Sequence, residues 1–287
     1  LDEFTRSWII ENGVPIVQSY GDTLTIRALH YRLVAIGMTN STQHYKRVVA
    51  AMGKARWDGL LSFDAFRDLD RDVIGETKYE VTDVDEGIAE AKKQIGLWMK
   101  NYYKNRWENQ PKYVEVFIEK KALQGVFEGP CRSNRVALAP CKGYPSLTYM
   151  HDAANRMIGA ESQGKETIIL YFGDYDPSGE DIPRSIQETM LRMGADVRVE
   201  RILLLEEHVR AWGLPPAPTK LTDSRSKAWN GLGQVELDAV EPNKLKDIVS
   251  DAIDEHFDYG LYDELKDQEE EEGEQYKEEL KEFVKGL

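Results

Sequence analysis

The chain has 287 residues, room for one large domain or two ordinary ones, with two the better expectation. Hydrophobic residues make up 41% and aromatics 10%, which excludes a disordered chain, and no apolar stretch is long enough to span a bilayer. The net charge of −14 excludes a uniformly basic binder, but the charge is unevenly spread: residues 241–287 hold 6 Lys/Arg against 17 Asp/Glu, and residues 1–240 hold 31 against 34.

The first 80 residues read as helices with short connectors. Residues 24–36 carry Leu24, Leu29, Leu33 and Ile36 at helical spacing and stop at Gly37. Residues 42–57 form a second helix stopped by Asp58-Gly59, followed by a short apolar piece at 60–63. Helix, turn, helix, then an extended piece is compatible with a winged-helix-like domain over 1–82. Within it, residues 23–57 contain no acid and six bases: Arg27, Arg32, Lys46, Arg47, Lys54 and Arg56. Such a stretch is either a phosphate-facing surface or a solvated helix pair. A mixed-charge helix over 83–105, broken at 107–111, makes 83–111 a connecting segment. From 112 the rhythm becomes strand and helix in alternation: strands at 113–118, 135–139, 167–172 and 197–204, with helices at 121–127, after Pro145 and at 178–193. That alternation predicts an α/β domain with a mostly parallel, Rossmann-like sheet. A Pro-rich turn at 214–218 opens a less regular segment, and two acidic helices, 242–257 and 262–284, close the chain. Tyr276, Leu280, Phe283 and Leu287 keep helical spacing, so part of the acidic tail is expected to pack against something.

Two cysteines, Cys131 and Cys141, are too few for a disulfide scaffold, and no basic region leads into an apolar run at the N-terminus. The expected setting is cytoplasmic or nucleoid-associated, away from membranes. Five histidines and two cysteines show no zinc spacing. Gly159-x4-Gly164-Lys165 resembles a phosphate-binding loop, but Glu166 replaces the required hydroxyl residue and leads into a strand, so no ATP site is expected.

In open parallel sheets the working residues lie at the carboxyl ends of strands. The first strand runs into Glu119, and the third runs into Gly173-Asp174-Tyr175-Asp176-Pro177-Ser178-Gly179. Asp174 and Asp176 are two apart, so an extended backbone points both carboxylates to one side, and Glu119 completes a three-carboxylate cluster. Hard cations such as Mg²⁺, or Mn²⁺, take such oxygens and relieve their mutual repulsion. The competing expectation is that Asp174 caps the next helix and Asp176 makes a turn with Pro177. Glu236 and Asp238, again two apart, read as surface acids at a loop, with a late addition to the cluster as the alternative. The 220–227 stretch, with Arg225, is a possible backbone-contacting loop.

Glu119 after one strand and Asp174-x-Asp176-Pro177-x-Gly179 after another resemble the Toprim domain of topoisomerases, primases and related nucleases. The Pro177/Gly179 variant is most similar to the DNA-cleaving subunit of topoisomerase VI and its meiotic break-forming relatives. Lys142-Gly143-Tyr144-Pro145 resembles that family's Gly-Tyr-Pro turn. Ile26-Arg27-Ala28-Leu29-His30-Tyr31 resembles its Arg-x-x-x-Tyr helix, although His30 stands where a second aromatic is common. The resemblance covers roughly residues 24–205, and the chain is shorter than the family's members. It implies a winged-helix tyrosine domain (1–82), a linker (83–111) and a Toprim domain with a helical extension (112–287).

The implied activity is type IIB topoisomerase-like cleavage of double-stranded DNA by a homodimer, with any ATPase on a separate chain. Tyr31 would attack a phosphate to leave a 5′-phosphotyrosyl link, working opposite the metal of a partner protomer. Glu119, Asp174 and Asp176 would hold Mg²⁺, with Glu119 a ligand or proton shuttle. Arg27, one helical turn before Tyr31, would hold the phosphate. A phenol of pKa about 10 needs a base or positive field to react near neutrality. Arg32, Lys46, Arg47, Lys54, Arg56 and Lys142 are the candidate DNA contacts, and Tyr45 is the decoy for Tyr31. Two rivals remain: a Toprim nuclease using metal-activated water with Tyr31 structural, and a non-catalytic DNA-binding component of a larger complex.

Overall fold

The computed structural model describes residues 3–20, 24–66, 83–217 and 233–285. In chain order they form α1 (Arg6–Tyr20), α2 (Ile26–Ala35), α3 (Thr42–Trp57), α4 (Val84–Trp98), β1 (Lys112–Ile118), α5 (Gln124–Asn134), β2 (Ala137–Pro140), α6 (Leu147–Glu161), β3 (Glu166–Phe172), α7 (Pro177–Arg192), β4 (Arg198–Leu203), α8 (Glu206–Ala211), α9 (Pro242–Asp254) and α10 (Tyr259–Lys285). The protein is α/β with a four-stranded, all-parallel sheet. Two compact units emerge, one drawn from 1–70 and 112–256, the other from 71–111 and 257–287. The 82/83 boundary expected from the sequence borders residues outside those described.

In the first unit, α1 to α3 pack around Ile9, Val17, Leu29, Leu33, Val48 and Met52, all essentially without solvent contact. Thr25 caps α2 by accepting the Ala28 N–H, and Ser41 caps α3 by accepting the His44 N–H. The apolar piece after α3 does not extend into a strand. Leu61 is buried, and Phe63–Ala65 coils into a 3₁₀ turn. An extended piece needs a partner for its backbone groups, and among the described residues of 3–66 there is no strand to supply one.

The sheet has the order β2-β1-β3-β4. β1 and β3 lie in the middle, paired from Lys112↔Glu166 to Ile118↔Phe172, and both read as near-continuous apolar runs because both of their faces are covered. On one face Phe117, Ile169 and Tyr171 meet Met150, Ala153 and Met157 of α6 and Ile182, Ile186 and Met190 of α7. On the other, Phe127 of α5 sets its ring edge-on to Phe172, 5.0 Å between centroids, and α9 packs against α5. Glu115, the one acid inside β1, is fully buried and held by a two-pronged pair with Arg156 (2.7 and 2.9 Å) and by the Tyr113 hydroxyl (2.8 Å). A buried carboxylate must be paired this way, so Glu115 is structural.

The second unit joins α4, residues 101–111 and α10. Tyr102 stacks near Tyr276 (5.3 Å), Lys104 bonds Glu272 (2.9 Å), and the Trp107 ring meets Phe257 (5.1 Å). The apolar spacing read in the tail thus marks a packed helix at Tyr276, although Phe283 stays exposed. Among the described residues no helix is long and apolar enough to cross a membrane.

Candidate functional site

β1 and β3 run in register up to Ile118↔Phe172, so Glu119 and Asp174 emerge at the same edge of the sheet. The Glu119 N–H continues the ladder by donating to the Phe172 carbonyl (2.9 Å). The Glu119 carboxylate folds back over β3, where its Oε2 accepts the Asp174 N–H (2.9 Å) and the Tyr171 hydroxyl (3.3 Å). Gly173 makes room for it: a Cβ there would lie 2.6 Å from the Tyr171 ring and 2.7 Å from Glu119 Oε2. Asp176 caps α7, its Oδ1 accepting the Gly179 N–H at 2.6 Å, and Pro177 occupies the first turn, where its missing N–H costs nothing. A side chain at Gly179 would collide with the Asp174 carbonyl oxygen. The Asp-x-Asp-Pro-x-Gly run is therefore a helix start that brings a second carboxylate beside the strand end. The cap is Asp176, with Asp174 left to face the cluster.

Asp174 has two further partners. Its Oδ1 accepts the Leu237 N–H (2.8 Å), and its Oδ2 lies 3.0 Å from the Lys120 ammonium. Lys120 also reaches Asp238 Oδ2 (3.1 Å) and Glu236 Oε2 (3.4 Å). Glu236 and Asp238, expected as surface acids, are instead part of the cluster, and Asp238 is 1% exposed. The reason is local. Val235 exchanges both backbone bonds with Tyr175 (2.8 and 2.9 Å), which pins the segment beside the end of β3, and the chain then coils into a 3₁₀ turn at Leu237–Ala239 that carries Asp238. Lys120 was missed by sequence reasoning. Its one signal is its place, directly after Glu119 at the strand end.

Tyr31 and Arg27 share one face of α2 and meet this cluster within the same chain. The Tyr31 hydroxyl donates to Glu236 Oε2 (2.9 Å), and Arg27 Nη1 donates to both oxygens of Glu236 (2.9 and 2.6 Å). A cavity of about 350 Å³ is lined by Arg27, Tyr31, Tyr45, Asp174, Asp176 and Glu236, among others. Tyr45, the decoy, lays its ring 5.1 Å from the Arg27 guanidinium carbon. The resemblance implied a tyrosine working at a partner's acids; here its hydroxyl is bonded to an acid of its own chain.

Burial and neighbouring charges oppose one another at Asp174, Lys120 and Glu236. Burial pushes Asp174 up to about 7, against the pull of Lys120, and burial likewise raises Glu119, with Asp176 adding to the rise. Burial works against the Lys120 charge, but Asp174, Asp238 and Glu236 outweigh it and raise its pKa. Glu236 is the reverse: burial opposes its charge, while Lys120, Arg27 and the Tyr31 hydroxyl hold it below the usual carboxylate range. Burial first, and then Glu236, raise the Tyr31 phenol above its ordinary value.

The candidate DNA contacts divide. Lys46 and Lys142 are exposed, and Lys142 takes a left-handed φ of 53° before Gly143, whose N–H donates to the Glu119 carbonyl (3.1 Å). Lys54 pairs with Asp58 (2.8 Å), Arg56 lies over Phe63 and Phe66, and Arg47 is half-buried. Arg32 does not fit the expectation of a surface base. It donates to the Ala239 carbonyl, its Nε is buried without a partner, and burial lowers its pKa. Its guanidinium packs α2 against the turn at Leu237–Ala239. The 220–227 loop lies outside the described residues.

Among the described residues no three His, Cys, Asp or Glu side chains stand in ligating geometry. The donor chemistry nevertheless fits a hard divalent cation: five carboxylates converge, and Asp238 Oδ1 is buried with no hydrogen-bond partner. No family model, curated protein or solved structure matches this chain.

Proposed function

We propose that this protein cleaves double-stranded DNA by transesterification through Tyr31, as a Toprim-type enzyme similar to the DNA-cleaving subunit of topoisomerase VI. One observation carries the reading: Tyr31, Arg27, Asp174, Asp176 and Glu236 line a single cavity. A nucleophile, an anion-binding guanidinium and a carboxylate cluster in one place are the parts that phosphoryl transfer to a side chain requires.

Glu119, Asp174 and Asp176 would hold Mg²⁺ or Mn²⁺, which when bound supplies electrophilic stabilisation of charge on the phosphate. Arg27 uses only Nη1 on Glu236, so the rest of its fork is available to orient a phosphate. Glu236 is within hydrogen-bond reach of the phenol and takes its proton as the Tyr31 oxygen bonds to phosphorus. The bond to the 3′-oxygen breaks, and that oxygen takes its proton from solvent or, where Asp174 and Asp176 alone hold the metal, from Glu119, whose raised pKa favours its protonated form. The products are a 5′-phosphotyrosyl link and a free 3′-hydroxyl. Cutting two strands takes two copies of the chain.

A second reading is hydrolysis by metal-activated water with Tyr31 structural. It draws on Tyr31 being only 6% exposed and on its raised pKa. Supercoiled plasmid incubated with Mg²⁺ or Mn²⁺ and stopped with detergent separates the two. Transesterification leaves protein covalently on the DNA and loses it in Tyr31→Phe; hydrolysis leaves nicked DNA, no adduct, and a Tyr31→Phe variant that cuts as well as the wild type.

A further inference from the structure

Lys120 stands with its ammonium in ion-pair reach of three carboxylates and donates a hydrogen bond to one of them, Asp238. Asp174 Oδ2, Asp238 Oδ2 and Glu236 Oε2 lie at 3.0, 3.1 and 3.4 Å. The three acids come from two separate segments, the end of β3 and the pinned stretch around residues 235–238, and they converge on one point. Asp238 brings a side chain with no solvent exposure and an Oδ1 that has no partner. A buried carboxylate oxygen without a donor carries a full desolvation cost, which a second bond to a cation would remove.

We infer that Asp174, Glu236 and Asp238 form a divalent-cation site whose resident cation in the metal-free chain is the Lys120 ammonium, so that lysine and metal compete for the same three carboxylates. Hard divalent cations bind oxygen at about 2.1–2.6 Å, so the cage contracts around the ion as the ammonium withdraws. Lys120 then sets how much metal is needed before the site loads. It also gives the Asp174 and Asp238 carboxylates a charged partner. This ligand set differs from Glu119, Asp174 and Asp176 and shares only Asp174 with it. The inference rests on reading the cluster as a metal centre and is independent of whether Tyr31 forms a bond to DNA.

The test uses full-length protein and Mn²⁺ alone, without DNA, by calorimetric titration and by the electron paramagnetic resonance signal of free Mn²⁺. Lys120→Met should bind Mn²⁺ at least tenfold more tightly than the wild type, because the competitor is gone. Lys120→Arg should stay near the wild type, and Lys120→Met combined with Asp238→Asn should lose the gain. Equal or weaker binding by Lys120→Met, or a gain that survives Asp238→Asn, overturns the inference. If Lys120→Met does not fold, thermal melts of the wild type and Asp238→Asn decide the matter. Saturating Mn²⁺ must then raise the wild-type Tm by more than that of Asp238→Asn, and equal shifts overturn the proposal. An adduct assay on the same preparations is read separately, so loss of Tyr31 chemistry and failure of the cage remain distinguishable.

Discussion

Asp174 sits at the meeting point of the whole site: its N–H fixes Glu119, its Oδ1 fixes the Leu237 backbone, and its Oδ2 faces Lys120. A pKa of about 7, above the usual carboxylate value of about 3.9, means that the folded chain holds this proton more tightly than the unfolded chain. The group's contribution to stability is therefore fullest below about pH 4 and is lost as pH rises toward 7. Asp174→Asn, which has no proton to lose, should gain on the wild type in thermal melts between pH 5 and pH 8. A constant gap would contradict the assignment. Glu236 offers a second test at this scale. It raises the Tyr31 phenol pKa and accepts its proton, so Glu236→Gln should move the Tyr31 ionisation midpoint downward. Ultraviolet titration at alkaline pH, referenced to Tyr31→Phe, reads that shift. An unmoved midpoint would mean that the two groups are not coupled.

The start of α7 does two jobs with one residue. Asp176 caps the helix and supplies a carboxylate to the cavity. Asp176→Ala should cost about 1 kcal/mol in chemical denaturation, whereas Asp176→Asn should keep the cap while losing the charge. If both variants lose the same stability, the cap is not what Asp176 contributes. Gly179→Ala should be worse than either, since its Cβ meets a backbone oxygen that cannot yield. At this scale much was legible in the sequence. Buried parallel strands are short apolar runs, which is why β1, β3 and the edge where Glu119, Asp174 and Asp176 emerge could be placed from residue types and spacing. The remainder of the site depends on tertiary pairing. Nothing near Glu236 and Asp238 in the sequence says that Val235 will pair with Tyr175 and turn both acids inward. Nothing near Arg32 says that the turn at Leu237–Ala239 will bury its guanidinium. Lys120 was hidden for a simpler reason, since a lysine after an acid is common on any surface.

Across the whole chain, the net charge of −14 is mostly a property of the last 47 residues, and the helix bearing Tyr31 and Arg27 is basic. In α10 the acids fall into two kinds. Glu269 and Glu272 bond the backbone and side chain of Lys104, whereas Glu270, Glu271, Glu278 and Glu279 are exposed. Converting those four exposed acids to glutamine should strengthen nonspecific DNA binding at low salt, with the difference fading at high salt as screening grows. Unchanged binding at low salt would leave α10 a solvated helix with no electrostatic role.

The most direct measurement for the protein as a whole is to identify the residue joined to DNA. Plasmid cut with Mg²⁺ or Mn²⁺ is denatured, digested with nuclease and trypsin, and analysed by mass spectrometry. The account predicts a nucleotide carried through a 5′-phosphate on the peptide of residues 28–32, which contains Tyr31, and no such species in Asp174→Ala. A nucleotide on the peptide of residues 33–46, which contains Tyr45, or DNA cut with no modified peptide at all, would contradict it.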